Sequence, residues 1–476
     1  MNLKKSFTLV FFLVFLGATT ALGYQLTFQP RISLGVEYTD NVFLEPDNIS
    51  EILDEPGLEP ESDFIFVTAP GFTAEMLGQL KGLRLDYDFG YASYNEFSNE
   101  NSWRHNLDFS AWTEFARNQR LEFRNTFLYT EDPLGGRAFT VTVPPDDGTP
   151  ADPTTVEGRE PYWINTASLR FDHEFGQLRS YFLEFLNIHR EDDNLLGNNS
   201  TENTPRAGLT YWFGPDWGTE IEGAYTWGDF DNAPNIKASF GSLRVIRRMS
   251  RQLQVYGQGR LRIVDQEGDL QDFLLTTRRT IEDWKVYDLQ LGTIYSLSSD
   301  LSIEASGGVV HYNPDLTDSR TEFIGLLDLN KTFRRGSARI YAERGYGESL
   351  FITRSDLGPS LFTEAGMSGE YPLTRQMTLN GFISYRKDEY GIDQRALVAG
   401  EIDPELPPIP EENLDRTDDT YGVGAGLTYD LRSWVSFDLN YAYRKRESTI
   451  NRDNYDENRA TFYITFTTPR PYETSR

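Results

Sequence analysis

The chain has 476 residues, no cysteine and a net charge of −28, with a mean hydropathy of −0.51. That balance excludes thiol chemistry and thiolate metal centres, makes nucleic acid a poor partner, and rules out a bundle of apolar membrane helices. Aromatic residues make up 14% of the chain, with 26 Tyr, 32 Phe and 8 Trp; Tyr and Trp sit well where one end of the ring is wet and the other greasy.

At the N-terminus, Lys4 and Lys5 precede the one long apolar run, Phe7 to Leu16, and small residues follow it: Gly17, Ala18, then Ala21-Leu22-Gly23. The run is shorter than the roughly 20 residues a spanning helix needs. Its order, positive then apolar then small-x-small, is that of a cleaved secretory signal peptide. Residues 1–23 are read as that peptide, and 24–476 as one exported unit.

From there the chain repeats one pattern. In Arg120-Leu121-Glu122-Phe123-Arg124-Asn125-Thr126-Phe127, the even positions are polar and Leu121, Phe123 and Phe127 are apolar. Ile221 to Trp227, Leu253 to Ile263 and Val435 to Arg444 alternate in the same way. Successive side chains of a strand point to opposite faces, so each segment has a wet side and a greasy side. Such segments begin near Phe28, Phe64, Leu83, Trp103, Arg120, Tyr162, Ser180, Asn203, Gly218, Asn235, Gln252, Trp284, Leu301, Arg320, Ala338, Ser360, Met377, Asp419, Val435 and Asn458. Most span about 10–14 residues, longer than a soluble strand of about 5–6 and enough for a tilted membrane strand of about 9–11. Several greasy faces end in aromatics, such as Tyr225 with Trp227 and Tyr441 with Tyr443.

The connections alternate in length. Even-numbered ones are tight, as at Gly78 to Lys81, Arg117 to Gln119, Gly176-Gln177, Gly214 to Trp217, Ser298 to Asp300, Arg334 to Gly336 and Arg432-Ser433. Odd-numbered ones are mostly longer and more acidic: 44–62, 131–160, 191–202, 266–283, 391–418 and 445–457. Short periplasmic turns, long outer loops and an even strand count mark outer-membrane barrels. The predicted fold is all-β: a single transmembrane antiparallel up-and-down β-barrel of about 20 strands (18–22), in the outer membrane of a Gram-negative bacterium. Lipid and lipopolysaccharide are its expected surroundings, and the acidic loops 44–62, 131–160 and 391–418 its expected outer face. With no stretch before Phe28 for a plug, only 131–160 or 391–418 are expected to narrow the lumen.

If the greasy faces meet lipid, the wet faces line a lumen. That places Arg84, Asp88, Arg104, Asp108, Glu122, Arg124, Arg170, Asp172, Glu222, Arg260, Arg262, Glu304, Arg339, Glu343, Asp438 and Arg444 inside. Their mixed signs select neither anions nor cations, and two roles stand open: guiding a solute, or bracing the wall as charge ladders. The four histidines, His105, His173, His189 and His311, show no ligand spacing and no nucleophile motif accompanies them; no catalytic residue, metal or cofactor is expected. Asp265 to Asp269 and Asp453 to Asp456 lack EF-hand spacing.

The last strand, Asn458 to Phe466, alternates and ends in an aromatic, resembling the C-terminal signal of barrel insertion. The segment Pro30 to Leu44, carrying Tyr38-Thr39-Asp40-Asn41, resembles the opening strand of EpsL-like outer-membrane β-barrel porins found with exopolysaccharide and exosortase/PEP-CTERM loci; Ser62 to Ile65 leading into Pro70-Gly71-Phe72 matches their second strand. The resemblance covers about fifty residues, and the acidic insertion at 45–61 is longer than that family's pattern. It implies a role in moving a polysaccharide outward, with a periplasmic export partner. The alternatives are a general diffusion porin, a non-conducting barrel whose loops hold polysaccharide or a partner, and, more remotely, an outer-membrane enzyme.

Overall fold

The computed structural model describes residues 25–46, 59–132, 161–192, 199–231, 235–267, 283–315, 318–348, 359–390, 416–449 and 454–475. The predicted signal peptide and most of the three long acidic loops lie outside these residues.

The strands in chain order are β1 (Gln25–Thr39), β2 (Asp63–Leu77), β3 (Lys81–Tyr94), β4 (Ser102–Ala116), β5 (Gln119–Thr130), β6 (Tyr162–Gly176) and β7 (Arg179–Asp192). Then come β8 (Ser200–Trp212), β9 (Trp217–Phe230), β10 (Asn235–Arg248), β11 (Leu253–Glu267), β12 (Trp284–Ser298), β13 (Leu301–Pro314) and β14 (Arg320–Thr332). The last are β15 (Ser337–Glu348), β16 (Pro359–Pro372), β17 (Met377–Tyr390), β18 (Arg416–Arg432), β19 (Val435–Ser448), β20 (Tyr455–Thr467) and a short β21 (Tyr472–Ser475). From β1 to β20, each pairs antiparallel with its sequence neighbours. β20 pairs with β1 from Thr39↔Arg459 to Arg31↔Thr467 and closes the sheet into a barrel of twenty strands. β21 resumes that pairing beyond Pro469 and Pro471, against Gln25 to Phe28.

Several strands are longer than their alternation suggested. β18 starts at Arg416 rather than Asp419, so 416–418 belong to the wall and not to the 391–418 loop; β20 starts at Tyr455 rather than Asn458. The reason is physical. Above the membrane both faces of a strand are wet, so the alternation fades while the backbone ladder continues.

Around most of the wall, register alternation fixes one face outward, and it carries the exposed large hydrophobics: Leu34, Phe64, Leu183, Ile221, Leu289, Leu291, Leu327, Ile383 and Leu439 among them. Trp217 and Trp227 share the outer face of β9, ten residues apart. That separation is about 33 Å along the strand, or about 25 Å of height at a tilt of roughly 40°, the height of a membrane barrel's apolar band. Trp103, Trp163, Tyr225, Tyr287 and Tyr441 ring the long-loop end of this band, and Phe115, Phe175, Phe213, Tyr371 and Trp434 the short-turn end. Two aromatic girdles around an apolar belt are a surface shaped for hydrocarbon.

Glycines on the inner face let rings lie flat. A Cβ at Gly35 would run into the Tyr463 ring across the β1–β20 closure. In the β14–β15 turn, Gly336 has φ +88°, a left-handed conformation that suits glycine. Twenty strands imply about 40 Å between opposite backbones. Barrels of about 16–18 strands already leave an aqueous channel between their side chains.

Candidate functional site

The inner wall is the candidate site. The registers put Arg84, Asp88, Arg104, Asp108, Glu122, Arg124, Arg170 and Asp172 on the face opposite the exposed hydrophobics. Glu222, Arg260, Arg262, Glu304, Arg339, Glu343, Asp438 and Arg444 lie on the same face.

Most of these charges meet an opposite charge along the wall. Arg84 lies 3.1 Å from Glu75. Glu122 sits between Arg120 at 2.9 Å and Arg124 at 2.5 Å. One chain runs Asp172–Arg170–Glu184–Arg206–Glu222 through contacts of 2.7–3.7 Å across four strands. Arg260 bonds Asp288 at 2.6 Å, Arg339 bonds Asp328 at 2.6 Å, and Glu304 accepts from Arg244 and from the Tyr256 hydroxyl. Asp438 accepts from the Thr428 hydroxyl at 2.8 Å. A polar wall built this way satisfies its own charges and presents no single sign to a solute.

Two arrangements were not anticipated from sequence. On β1, Arg31 forks between Asp86 at 2.5 Å and Asp88 at 2.6 Å. Near the long-loop end, Glu37 is 1% exposed and shared: Arg104 reaches it at 3.0 Å, Arg459 at 2.8 Å, and the Tyr463 hydroxyl donates to it. Arg104 also bonds Glu131 at 2.6 Å, and Arg459 bonds Asp132 at 2.7 Å. Tyr94 donates to Glu131, and Tyr162 to the Asp132 carbonyl, each at 3.0 Å. Burial alone would raise the Glu131 carboxyl; the charge and hydrogen bonds of Arg104 outweigh it and hold Glu131 below the usual carboxylate range. Alternation marks Arg31 and Glu37 as inward, but nothing in the chain announces that 104, 131, 132 and 459 converge on position 37.

The Tyr38-Thr39-Asp40-Asn41 motif stands beside this cluster. Tyr38 turns outward against Phe64, ring centroids 4.9 Å apart. Thr39 donates to Glu457 at 2.9 Å. Asp40 accepts from the backbone N–H and the side-chain amide of Asn458, both at 2.7 Å. Asn41 donates to the carbonyls of Glu45 and Asp456 at 2.7 and 2.9 Å. Three consecutive side chains thus clasp the first strand to the last, where the barrel closes. A second buried cluster, on β18 and β19, holds Asp418 between Arg416 at 2.9 Å and Arg446 at 2.6 Å.

Several inner aromatics are capped on both faces. Tyr256 lies over Gly292 with the Arg244 guanidinium 3.7 Å from its ring, and Trp212 over Gly218 with Arg248 at 3.7 Å. Phe182 is held likewise by Gly208 and, at 4.1 Å, Arg170. All four histidines point outward, away from the lumen: His105, His189 and His311 bond Tyr87, Thr201 and Thr321 at 2.7–2.9 Å, and His173 packs on Tyr181. Among the described residues, no group of three or more His, Asp or Glu side chains could hold a metal ion.

A protein-family model described as "Putative beta-barrel porin 2" matches residues 352–467, about the last quarter of the chain. No curated protein matches the chain. Among solved structures, the Pseudomonas aeruginosa OpdK crystallised with vanillate is 9% identical over 93% of this chain and 99% of its own, at a TM-score of 0.43. Acinetobacter baumannii OccAB3 is 11% identical over 94% and 99%, at 0.40, and Pseudomonas aeruginosa OccK8 (OprE) 10% identical over 94% and 98%, at 0.41. Likenesses this loose bear on neither substrate nor mechanism; over its last quarter the chain is similar to a family of β-barrel porins.

Proposed function

We propose that this protein is an outer-membrane channel, a passive diffusion pore for hydrated solutes. The carrying observation is the combination of a closed twenty-strand barrel with an inner face of charged side chains. A ring of that size needs water or inserted chain to fill it. The short turns then face the periplasm and the long acidic connections the outside. The charge ladders brace the wall: Arg170, Glu184, Arg206 and Glu222 tie four strands together across the sheet. Passage selects by width more than by sign.

A narrower reading, passage of an exported polysaccharide with a periplasmic partner, draws on the resemblance at Tyr38 to Asn41. It wants exposed ring faces on which sugars stack. The rings of Tyr256, Trp212 and Phe182 are instead occupied by glycine below and arginine above, so general diffusion is the better-supported function.

Planar-bilayer conductance of the refolded chain tests it. Steady ohmic steps with a cation-to-anion permeability ratio within about threefold of unity are expected, since the wall charges are largely paired. A correctly folded barrel that stays silent would overturn the channel reading. Concentration-dependent block by oligosaccharides, absent with monosaccharides, would favour the polysaccharide reading.

A further inference from the structure

One seam of the wall differs from the other nineteen. The β14–β15 register holds eight pairs, from Thr332↔Ser337 up to Gly325↔Arg344, and stops there. Both strands continue on their other sides: β14 pairs with β13 up to Arg320, and β15 with β16 up to Glu348. The seam therefore lacks its ladder over the first five residues of β14, 320–324, at the long-loop end, about 16 Å of strand. Phe323 stands at this edge on the outer face, 78% exposed, more than any other large hydrophobic among the described residues.

The faces at this seam also cross. Unbroken registers put Arg344, Tyr346, Leu361 and Glu389 on the outer face, in step with Ile340, Met367 and Ile383. They likewise put Tyr312 and Glu322 on the inner face, in step with Val310 and Ile324. Yet Arg344 lies 3.6 Å from Glu322. Tyr346 stacks on Tyr312, ring centroids 5.3 Å apart, and packs with Leu361 against the inner cluster of Trp284, Val286, Val310 and Ile324. The wall overlaps itself there, with the β15–β16 edge tucked inside the β13–β14 edge. Between the leaves lies a crevice of about 70 Å³, lined among others by Tyr312, Glu322, Tyr346, Leu361 and Glu389.

We propose that this overlap is a lateral portal between the lumen and the outer leaflet of the bilayer, and that its crevice binds an amphiphile. The chemistry of the lining sets the class of ligand: Tyr312, Tyr346 and Leu361 suit an apolar chain or ring, and Arg320, Glu322 and Glu389 suit a polar head of either sign. The leaves are joined by side-chain packing and ion pairs, which separate without breaking a backbone ladder. The proposal rests on the barrel lying in a membrane, as the channel reading also does.

Two measurements test it on the full chain refolded in lipid vesicles. In the unaltered protein, the seam-facing amides among 320–324 and 345–348 are expected to exchange with deuterium at least tenfold faster than the amides of 284–287 and 311–313, where the β12–β13 ladder runs to Trp284↔Pro314. Equal protection overturns the portal. The second uses a palmitic acid carrying a diazirine, photolysed in the same vesicles. It is expected to label Tyr312, Tyr346 and Leu361 inside the wall as well as Leu289 and Leu291 outside it. In Glu322→Cys/Arg344→Cys, a chain otherwise free of cysteine, a short bifunctional thiol cross-linker is expected to cut the inner labelling at least tenfold and leave the outer labelling unchanged. Labelling confined to Leu289 and Leu291 before cross-linking overturns the proposal. A silent bilayer with fast seam exchange would remove the channel reading and leave the portal standing.

Discussion

Replacing Glu37 by alanine gives the sharpest test of how the barrel is held shut. Its carboxylate is 1% exposed and serves Arg104 at 3.0 Å, Arg459 at 2.8 Å and the Tyr463 hydroxyl. Removing one partner of a buried ion pair costs about 3–5 kcal/mol, because the charge left behind has lost its solvent and its counter-charge. Here each arginine keeps a second carboxylate, Glu131 for Arg104 and Asp132 for Arg459. That places the loss near the lower limit, about 3 kcal/mol, with about 1 kcal/mol more for the Tyr463 hydroxyl left without its acceptor. Glu37→Gln keeps an acceptor and should cost about half as much. The assay is denaturant unfolding from lipid vesicles, followed by the gel mobility of compact and unfolded forms. A double-mutant cycle of Glu37→Gln with Arg104→Gln should show coupling of at least about 1 kcal/mol. The difference should persist in 1 M salt, roughly, because buried pairs are weakly screened. A Glu37→Ala protein within about 0.5 kcal/mol of the parent would refute this reasoning and mean that water already solvates the cluster.

Two further outcomes follow from the same closure. Asp40→Ala with Asn41→Ala removes three hydrogen bonds between the chain ends and one from Asn41 to the Glu45 carbonyl; a loss of about 2–4 kcal/mol and slower appearance of the compact form are expected, whereas unchanged stability and folding rate would show that the motif is no clasp. The Glu131 carboxyl lies below its ordinary 4.5 in the folded protein, so its contribution is complete at neutral pH and disappears as pH falls from about 4.5 through the depressed folded value. Unfolding midpoints compared between pH 7 and roughly pH 3 should therefore differ less in Glu131→Gln than in the parent, and an identical pH dependence would remove Glu131 from the account.

Much of this molecule is written into local sequence. Alternation with period two separates a lipid face from a lumen face residue by residue, because a strand offers its side chains only two directions. Connection length alternates because every second turn crosses on the same side of the membrane. Leu121, Phe123 and Phe127 against Glu122, Arg124 and Thr126 carry that information with no knowledge of neighbouring strands. The ends of strands were less legible, as Arg416 and Tyr455 show, since alternation fades where both faces are wet. What alternation cannot carry is which inward residue meets which. Glu37, Arg104, Glu131 and Arg459 are scattered over the whole length of the chain, and only closure of β1 on β20 and the curvature of the wall bring them within 3 Å. Whether an inward charge is free to meet a solute or is spent on a neighbouring strand depends on the register between strands. So does the gap at β14–β15, where ordinary strand sequences meet and the ladder stops at Gly325↔Arg344. Side-chain direction follows from the backbone's own geometry, while pairing is a relation between distant segments that exists only once the barrel is shut.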